Sequence, residues 1–231
     1  MTFTYGVIAD CGIVLVADSQ VTDTHSDRFG VIGTYESCRG KITRVGIRFA
    51  FSVAGNGGLA DTLLAKVDRG RIDKLSSFEE VVQNYEWSMR QEFQRLYSSG
   101  APRDLEAVFL FCGYNVVGSP QIVKLDSANF FTQNPVTGRD MAATGEARHG
   151  AAYYLHHRFY RERIPLEQAK LLAYCVAKEV ADQDNSVGGP IEMEVITLKG
   201  SRPLMDTERE KYEKAHREIT SQVHSFLTEF H

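Results

Sequence analysis

Met1-Thr2-Phe3-Thr4-Tyr5-Gly6-Val7-Ile8-Ala9-Asp10-Cys11-Gly12-Ile13-Val14-Leu15-Val16-Ala17-Asp18 opens the chain and reads as a hairpin. Residues 2–9 are rich in β-branched and aromatic side chains, as a pleated, half-buried surface requires. Asp10-Cys11-Gly12 supplies turn chemistry, and residues 13–17 form a second, wholly apolar arm. Pairing the arms brings the start of the chain back to the end of the second arm. Thr2 and Asp18 then lie at the same end of a sheet. A small residue after the initiator Met allows ordinary processing to expose Thr2. An N-terminal threonine carries both halves of a nucleophile–base pair: a hydroxyl that attacks and an α-amine, titrating near pH ~8, that takes its proton. Many chains begin Met-Thr with no such meaning, so the hairpin alone leaves catalysis open.

Composition narrows the class. At 231 residues with 43% hydrophobic and 24% charged content, the chain fits a globular α/β unit of one domain. A net charge of −4 leaves no basic footprint for nucleic acid. No apolar run approaches the ~18 residues of a membrane span, and the N-terminus has no basic flank of a signal peptide. Cys11, Cys38, Cys112 and Cys175 lack metal-ligand spacing and read as buried free thiols of a reducing, cytoplasmic setting. The seven histidines fall mostly on polar helical faces, and none is read as a ligand or base. No metal or cofactor is expected.

Outward from the hairpin, residues 23–33 are too mixed for a strand core and read as a surface loop, with room for a short ribbon at Gly30-Val31-Ile32. A second hairpin follows, from Gly40-Lys41-Ile42 to Phe49-Ala50-Phe51-Ser52-Val53-Ala54. Lys41 at a strand start is an ordinary solvated lysine unless it points inward. Gly55-Asn56-Gly57-Gly58 then turns strand into helix. Such a turn leaves backbone N–H groups aimed outward, suited to an oxyanion, although a plain tight turn has the same composition. It lacks the Gly-Lys-Ser/Thr ending of a nucleotide loop.

Ser77-Phe78-Glu79-Glu80 is a capping box opening a helix to about Tyr97, with Val81, Tyr85, Met89, Phe93 and Leu96 on one face. Strands are expected at 107–114, 121–125 and 129–132, and a short one at 141–144. Helices should run over 147–160 and from Pro165 through Val180, with a last strand at 191–198. The tail carries Tyr212, Ala215, Ile219, Val223, Phe226 and Phe230 on one helical stripe. Strand blocks separated by helix pairs predict an α+β fold of two antiparallel sheets covered by two helical layers. The expected division is a domain over 1–200 and a C-terminal helical extension over 201–231.

Order and motifs together resemble the proteasome β-subunit family of N-terminal-nucleophile (Ntn) hydrolases, which includes the bacterial HslV peptidase and the ancestral β subunit, Anbu. Thr2 is similar to the family's N-terminal threonine, and Val14-Leu15-Val16-Ala17-Asp18-Ser19 to the segment ending in its acid. Gly40-Lys41-Ile42 resembles the lysine segment. Phe51-Ser52-Val53-Ala54-Gly55-Asn56-Gly57-Gly58 resembles the oxyanion segment, with Gly55 as donor. The steps from Asp18 to Lys41 and Gly55 are long for the family, and one insertion in residues 23–38 accounts for both. In Ala143-Thr144-Gly145-Glu146, Glu146 stands where proteasome subunits have a serine, a form similar to Anbu. Asp184-Asn185-Ser186-Val187-Gly188-Gly189-Pro190 resembles the closing segment. There Asp184 matches the supporting aspartate, while Val187 takes the serine position and Ser186 falls one residue early.

The resemblance implies an αββα four-layer Ntn sandwich with an extra C-terminal helix. It implies a threonine-type peptidase with Thr2, Asp18, Lys41, Gly55, Asp184 and Ser186 as its site and no cofactor. It also implies self-association into a ring or spiral, a peptide or unfolded-protein substrate, and room for an ATP-dependent unfoldase. Glu146 suits a helix start better than acid catalysis. Two alternatives stand beside this one: an Ntn amidohydrolase acting on a small amide, and a catalytically silent structural subunit. Silent subunits of the family carry a helix ahead of the hairpin, and none is read ahead of Thr2.

Overall fold

The computed structural model describes residues 3–27, 30–72, 75, 77–100, 106–136, 142–144 and 150–228. The opening hairpin pairs β1 (Thr4–Ile8) with β2 (Ile13–Ala17), from Thr4 opposite Ala17 to Ile8 opposite Ile13. Its turn is closed by the Ala9 N–H on the Gly12 carbonyl at 2.8 Å. Alternation gives each face one job. Phe3, Tyr5, Val7, Val14 and Val16 pack toward helices, while Ile13 and Leu15 pack toward the other sheet.

Next come β3 (Gln20–Asp27) and β4 (Gly30–Cys38), which among the described residues pair only with each other. Where a surface loop was expected, the backbone therefore forms a two-stranded ribbon. Polar composition does not exclude such a ribbon, because main-chain hydrogen bonds carry the pairing. β5 (Ile42–Val45) and β6 (Phe49–Gly55) form the second hairpin, and α1 (Gly57–Leu64) follows at once, capped by the Asn56 side chain on the Leu59 N–H. After the short α2 (Arg69–Ile72), α3 (Phe78–Ser98) opens with both halves of the Ser77/Glu80 capping box in place.

β7 (Ala107–Tyr114), β8 (Pro120–Asp126) and β9 (Asn134–Val136) complete the second sheet in the order β5-β6-β7-β8-β9. The strand expected at 129–132 is instead a turn. Asp126 caps the Ala128 N–H, and Phe130 and Phe131 take left-handed backbone angles (φ 51° and 55°). That reversal turns Phe131 inward, to full burial. β10 (Ala142–Thr144) adds to β1, and α4 (Gly150–Phe159) and α5 (Leu166–Gln183) follow. β11 (Glu192–Thr197), β12 (Gly200–Pro203) and α6 (Asp206–Thr228) end the described chain. The first sheet thus runs β10-β1-β2-β11-β12, and β12 is a strand that periodicity did not show.

Three apolar clusters define four layers. One joins the first sheet to α4, α5 and Tyr212 of α6. One joins the second sheet to α1 and α3. The third, including Ile13, Leu15, Leu110, Cys112 and Ile196, lies between the sheets. The fold is α+β, an αββα sandwich of four layers with an additional C-terminal helix. No helix among the described residues is long and apolar enough to cross a membrane.

Two expectations about side chains change. Cys112 is buried, but Cys175 is half-buried and Cys11 is exposed, because it sits at the hairpin tip where nothing covers it. Two histidines are interior. His156 meets the Tyr5 hydroxyl through Nδ1 at 2.7 Å, and His216 meets Glu179 through Nε2 at 3.1 Å. Helical position alone did not show that α4 lies on the first sheet and α6 on α5.

Candidate active site

At one end of the sandwich, the end of β2, the start of β5 and the end of β6 come together. Asp18, directly after β2, is 2% exposed. Its main chain is locked to the chain start, with the Asp18 N–H on the Phe3 carbonyl at 3.1 Å. Its carboxylate collects three donors. Oδ1 accepts from the Phe3 N–H at 2.7 Å and from Lys41 Nζ at 2.8 Å, and Oδ2 accepts from the Gly188 N–H at 3.4 Å.

Lys41 points inward, its side chain 7% exposed. Besides Asp18, its ammonium donates to the Gln20 carbonyl at 2.5 Å. Its own N–H goes to Glu192 Oε2 at 2.9 Å, and its carbonyl accepts from the Val53 N–H at 3.2 Å. A buried ion pair gains little net stability, because desolvating both charges offsets their attraction. The pair does hold a cation at a fixed point beside the Phe3 N–H.

Gly55 ends β6 at the same sheet end, two residues beyond the Val53 that bonds Lys41. Its φ of +92° suits glycine, and a Cβ there would lie 2.3 Å from the Glu106 carbonyl oxygen. The Asn56 N–H donates to that same oxygen at 2.6 Å, so the turn is pinned as it enters α1. Across it, Arg39 makes a two-pronged pair with Asp61 of α1 at 2.6 and 2.8 Å. The pair ties the segment before Lys41 to the helix after Gly55, and Arg39 holds the Asp61 carboxyl below its usual range.

The closing segment forms the third wall. Asp184 Oδ1 accepts from both the N–H and the hydroxyl of Ser186, at 2.8 and 2.6 Å, an Asx turn just past α5. Two residues on, the Gly188 carbonyl accepts from the N–H groups of Ser19 and Gln20. A Cβ at Gly188 would lie 2.2 Å from Gln20 Oε1, so the Gln20 side chain lies against this loop. Among the expected residues, Asp18 and Lys41 are in contact, Gly55 lies at the same end of the sandwich, and Asp184 and Ser186 bond each other beside Gly188. Thr2 and Glu146 lie outside the described residues.

Sequence reading missed the Gln20 carbonyl, the Gly188 amide and Glu192. A backbone group carries no side-chain signal, so the first two were invisible. Glu192 did leave a trace: with Glu194 it puts acids on one face of an otherwise buried alternating strand. Among the described residues no group of histidine, cysteine and acidic side chains could hold a metal ion.

No curated protein matches the chain significantly. Solved structures of low sequence identity share the fold. Anbu from Yersinia bercovieri superposes with a TM-score of 0.75 at 15% identity, covering 98% of this chain and 96% of its own. The structure described as the helical assembly of the Anbu complex from Pseudomonas aeruginosa gives 0.78 at 16%, covering 98% and 96%. A Gly-1 mutant of Anbu from Hyphomicrobium sp. strain MC1 gives 0.73 at 13%, covering 99% and 97%. The family described as Proteasome subunit matches residues 2–196. This chain belongs to the proteasome subunit family.

Proposed function

We propose that the protein is a threonine-type peptidase whose nucleophile is Thr2, exposed by removal of Met1. The observation that carries this reading is the Asp18 carboxylate, whose Oδ1 is shared by the Phe3 N–H and the Lys41 ammonium. The nitrogen joining Phe3 to residue 2 is thereby fixed beside a buried cation. In the proposed reaction, Thr2 Oγ attacks the peptide carbonyl while the α-amine takes the hydroxyl proton. The Lys41 ammonium favours the developing alkoxide, and the Gly55 N–H stabilises the tetrahedral oxyanion, a contribution typically worth ~3 kcal/mol. The C–N bond then breaks, and the α-ammonium returns its proton to the leaving amine. Water hydrolyses the resulting Thr2 ester, and the hydroxyl is restored. Asp184 and Ser186 shape the loop that brings Gly188 to Asp18.

Thiol chemistry has less support among the described cysteines. A hydrogen bond with Asp10 pushes Cys11 up, burial pushes Cys112 up, and burial pushes Cys175 to about 11. All three disfavour a thiolate near neutral pH. The proposal extends to a cytoplasmic homo-oligomer acting on peptides or unfolded chains. The likeness to a protein described as a helical Anbu assembly supports self-association.

The test is intact-mass analysis after treatment with a peptide epoxyketone. One adduct on protein lacking Met1 is expected, and none on Thr2→Ala. Retained Met1, or an adduct that survives Thr2→Ala, overturns the assignment. A small-amide hydrolase would label but leave peptide substrates uncut.

A further inference from the structure

We propose that Glu192 is a positioning residue for Lys41; this rests on the threonine-peptidase reading above. Glu192 opens β11 and lies in register with Ala17, the residue before Asp18. Two adjacent strands of the first sheet therefore end in two carboxylates, and both hold Lys41. Asp18 takes its ammonium at 2.8 Å, and Glu192 takes its main-chain N–H at 2.9 Å. The lysine belongs to the other sheet, at the start of a strand that among the described residues has a neighbouring strand on one side only. Glu192 satisfies an N–H from across the sandwich.

Glycine makes room for this approach. A Cβ at Gly40 would lie 3.3 Å from Glu192 Oε1 and 3.8 Å from Oε2, tight against the carboxylate. The tie recurs further along β5, where Arg44 Nε donates to Glu194 Oε1 at 2.6 Å, with the Glu194 side chain 4% exposed. The two glutamates thus set β5 on β11. With its side chain enclosed, Lys41 can place Nζ only where its backbone allows. A shift of about 1 Å at a reacting centre can cost ~10²-fold in rate. Glu192 is not itself expected to touch the reacting atoms; its influence passes through Lys41.

The experiment follows epoxyketone labelling of Thr2 in the wild type and in Glu192→Ala, Glu192→Gln and Glu192→Asp, with a thermal melt of each. Glu192→Ala should lower the maximal labelling rate about tenfold or more and leave the inhibitor concentration for half-maximal rate within about twofold. Glu192→Gln keeps both the acceptor and the reach, and should stay within about threefold of the wild type. Glu192→Asp keeps the charge but falls one methylene short, and should behave like Glu192→Ala. Equal rates in all four proteins, or rescue by aspartate and not glutamine, overturn the proposal. If Glu192→Ala fails to fold, the glutamine–aspartate contrast decides. A wild type that does not label overturns the peptidase reading and this inference with it. A labelled wild type with an unaffected Glu192→Ala sinks the Glu192 assignment alone.

Discussion

Asp18 and Lys41 are unequal partners. The carboxylate has amide donors from Phe3 and Gly188 besides the ammonium, and it sets a countercharge 2.8 Å from the buried ammonium, which also donates to the Gln20 carbonyl. Asp18→Ala would remove this countercharge from a buried cation and leave the Phe3 N–H without the carboxylate, at a cost of about 3–5 kcal/mol. Lys41→Met fills the same space and leaves the carboxylate two amide donors. It should cost clearly less in a urea melt and still abolish Thr2 labelling. A Lys41→Met protein that labels at the wild-type rate would remove the lysine from the mechanism. Such asymmetry comes from which groups surround each charge, and residue type alone does not show it.

At the scale of elements, α3 and the 126–131 turn show where local chemistry is sufficient and where it is not. The capping box of α3 has both reciprocal bonds: the Glu80 N–H on Ser77 Oγ at 3.1 Å, and the Ser77 N–H on Glu80 Oε2 at 3.4 Å. Ser77→Ala should destabilise by about 1 kcal/mol, a fall of roughly 2–4 °C in melting temperature for a chain of this size. An unchanged melt would mean that packing of Phe78, Val81, Tyr85 and Met89 sets the helix start by itself. That helix was legible because cap and periodicity agree. The 126–131 segment was not, because its aromatic run suits a strand equally well. Burial of Phe131 among Phe93 and Phe109 favours the left-handed reversal over extension.

For the whole molecule, α6 is joined to the sandwich by charge as well as by Tyr212. Lys170 of α5 is 3% exposed and reaches Glu167 and Glu208 while lying over the Tyr212 ring. Burial pulls its ammonium down, but its hydrogen bonds to Glu167, Tyr212 and Glu208 more than offset that and hold it above the usual lysine value. Arg202, the Met205 N–H and Lys170 together hold the Glu208 carboxyl down at about 2, Arg202 contributing most. Lys170 and Tyr212 hold Glu167 low as well. A carboxylate depressed in the folded state stabilises it above the unfolded pKa, near 4.5. That stabilisation is lost as pH falls toward about 2. Melting temperature should therefore drop between about pH 5 and pH 2, and Glu208→Gln should flatten that slope. Parallel slopes in the two proteins would show that Glu208 does not link α6 to acid stability. Further along α6, Ile219 and Val223 stay exposed, so the apolar stripe of the tail is only partly used within the chain.

The opening hairpin, the β5–β6 hairpin, the glycine turn into α1, the capped α3 and the four-layer order were all legible in the amino-acid sequence. Each rests on periodicity, turn chemistry or capping, which act between residues close in the chain. The grouping of Asp18, Lys41 and Gly55 rests on their resemblance to the family's motifs; the residues alone make Lys41 a solvated lysine and Gly55 a plain turn. Tertiary structure alone decided the rest: the β3–β4 ribbon, the inward turn of Phe131, the interior places of His156 and His216, and the hold of Glu192 and Gln20 on Lys41. These contacts join residues far apart in the chain or use backbone groups common to every residue. Their free energy appears only when the two sheets close on each other and exclude water from the groups between them.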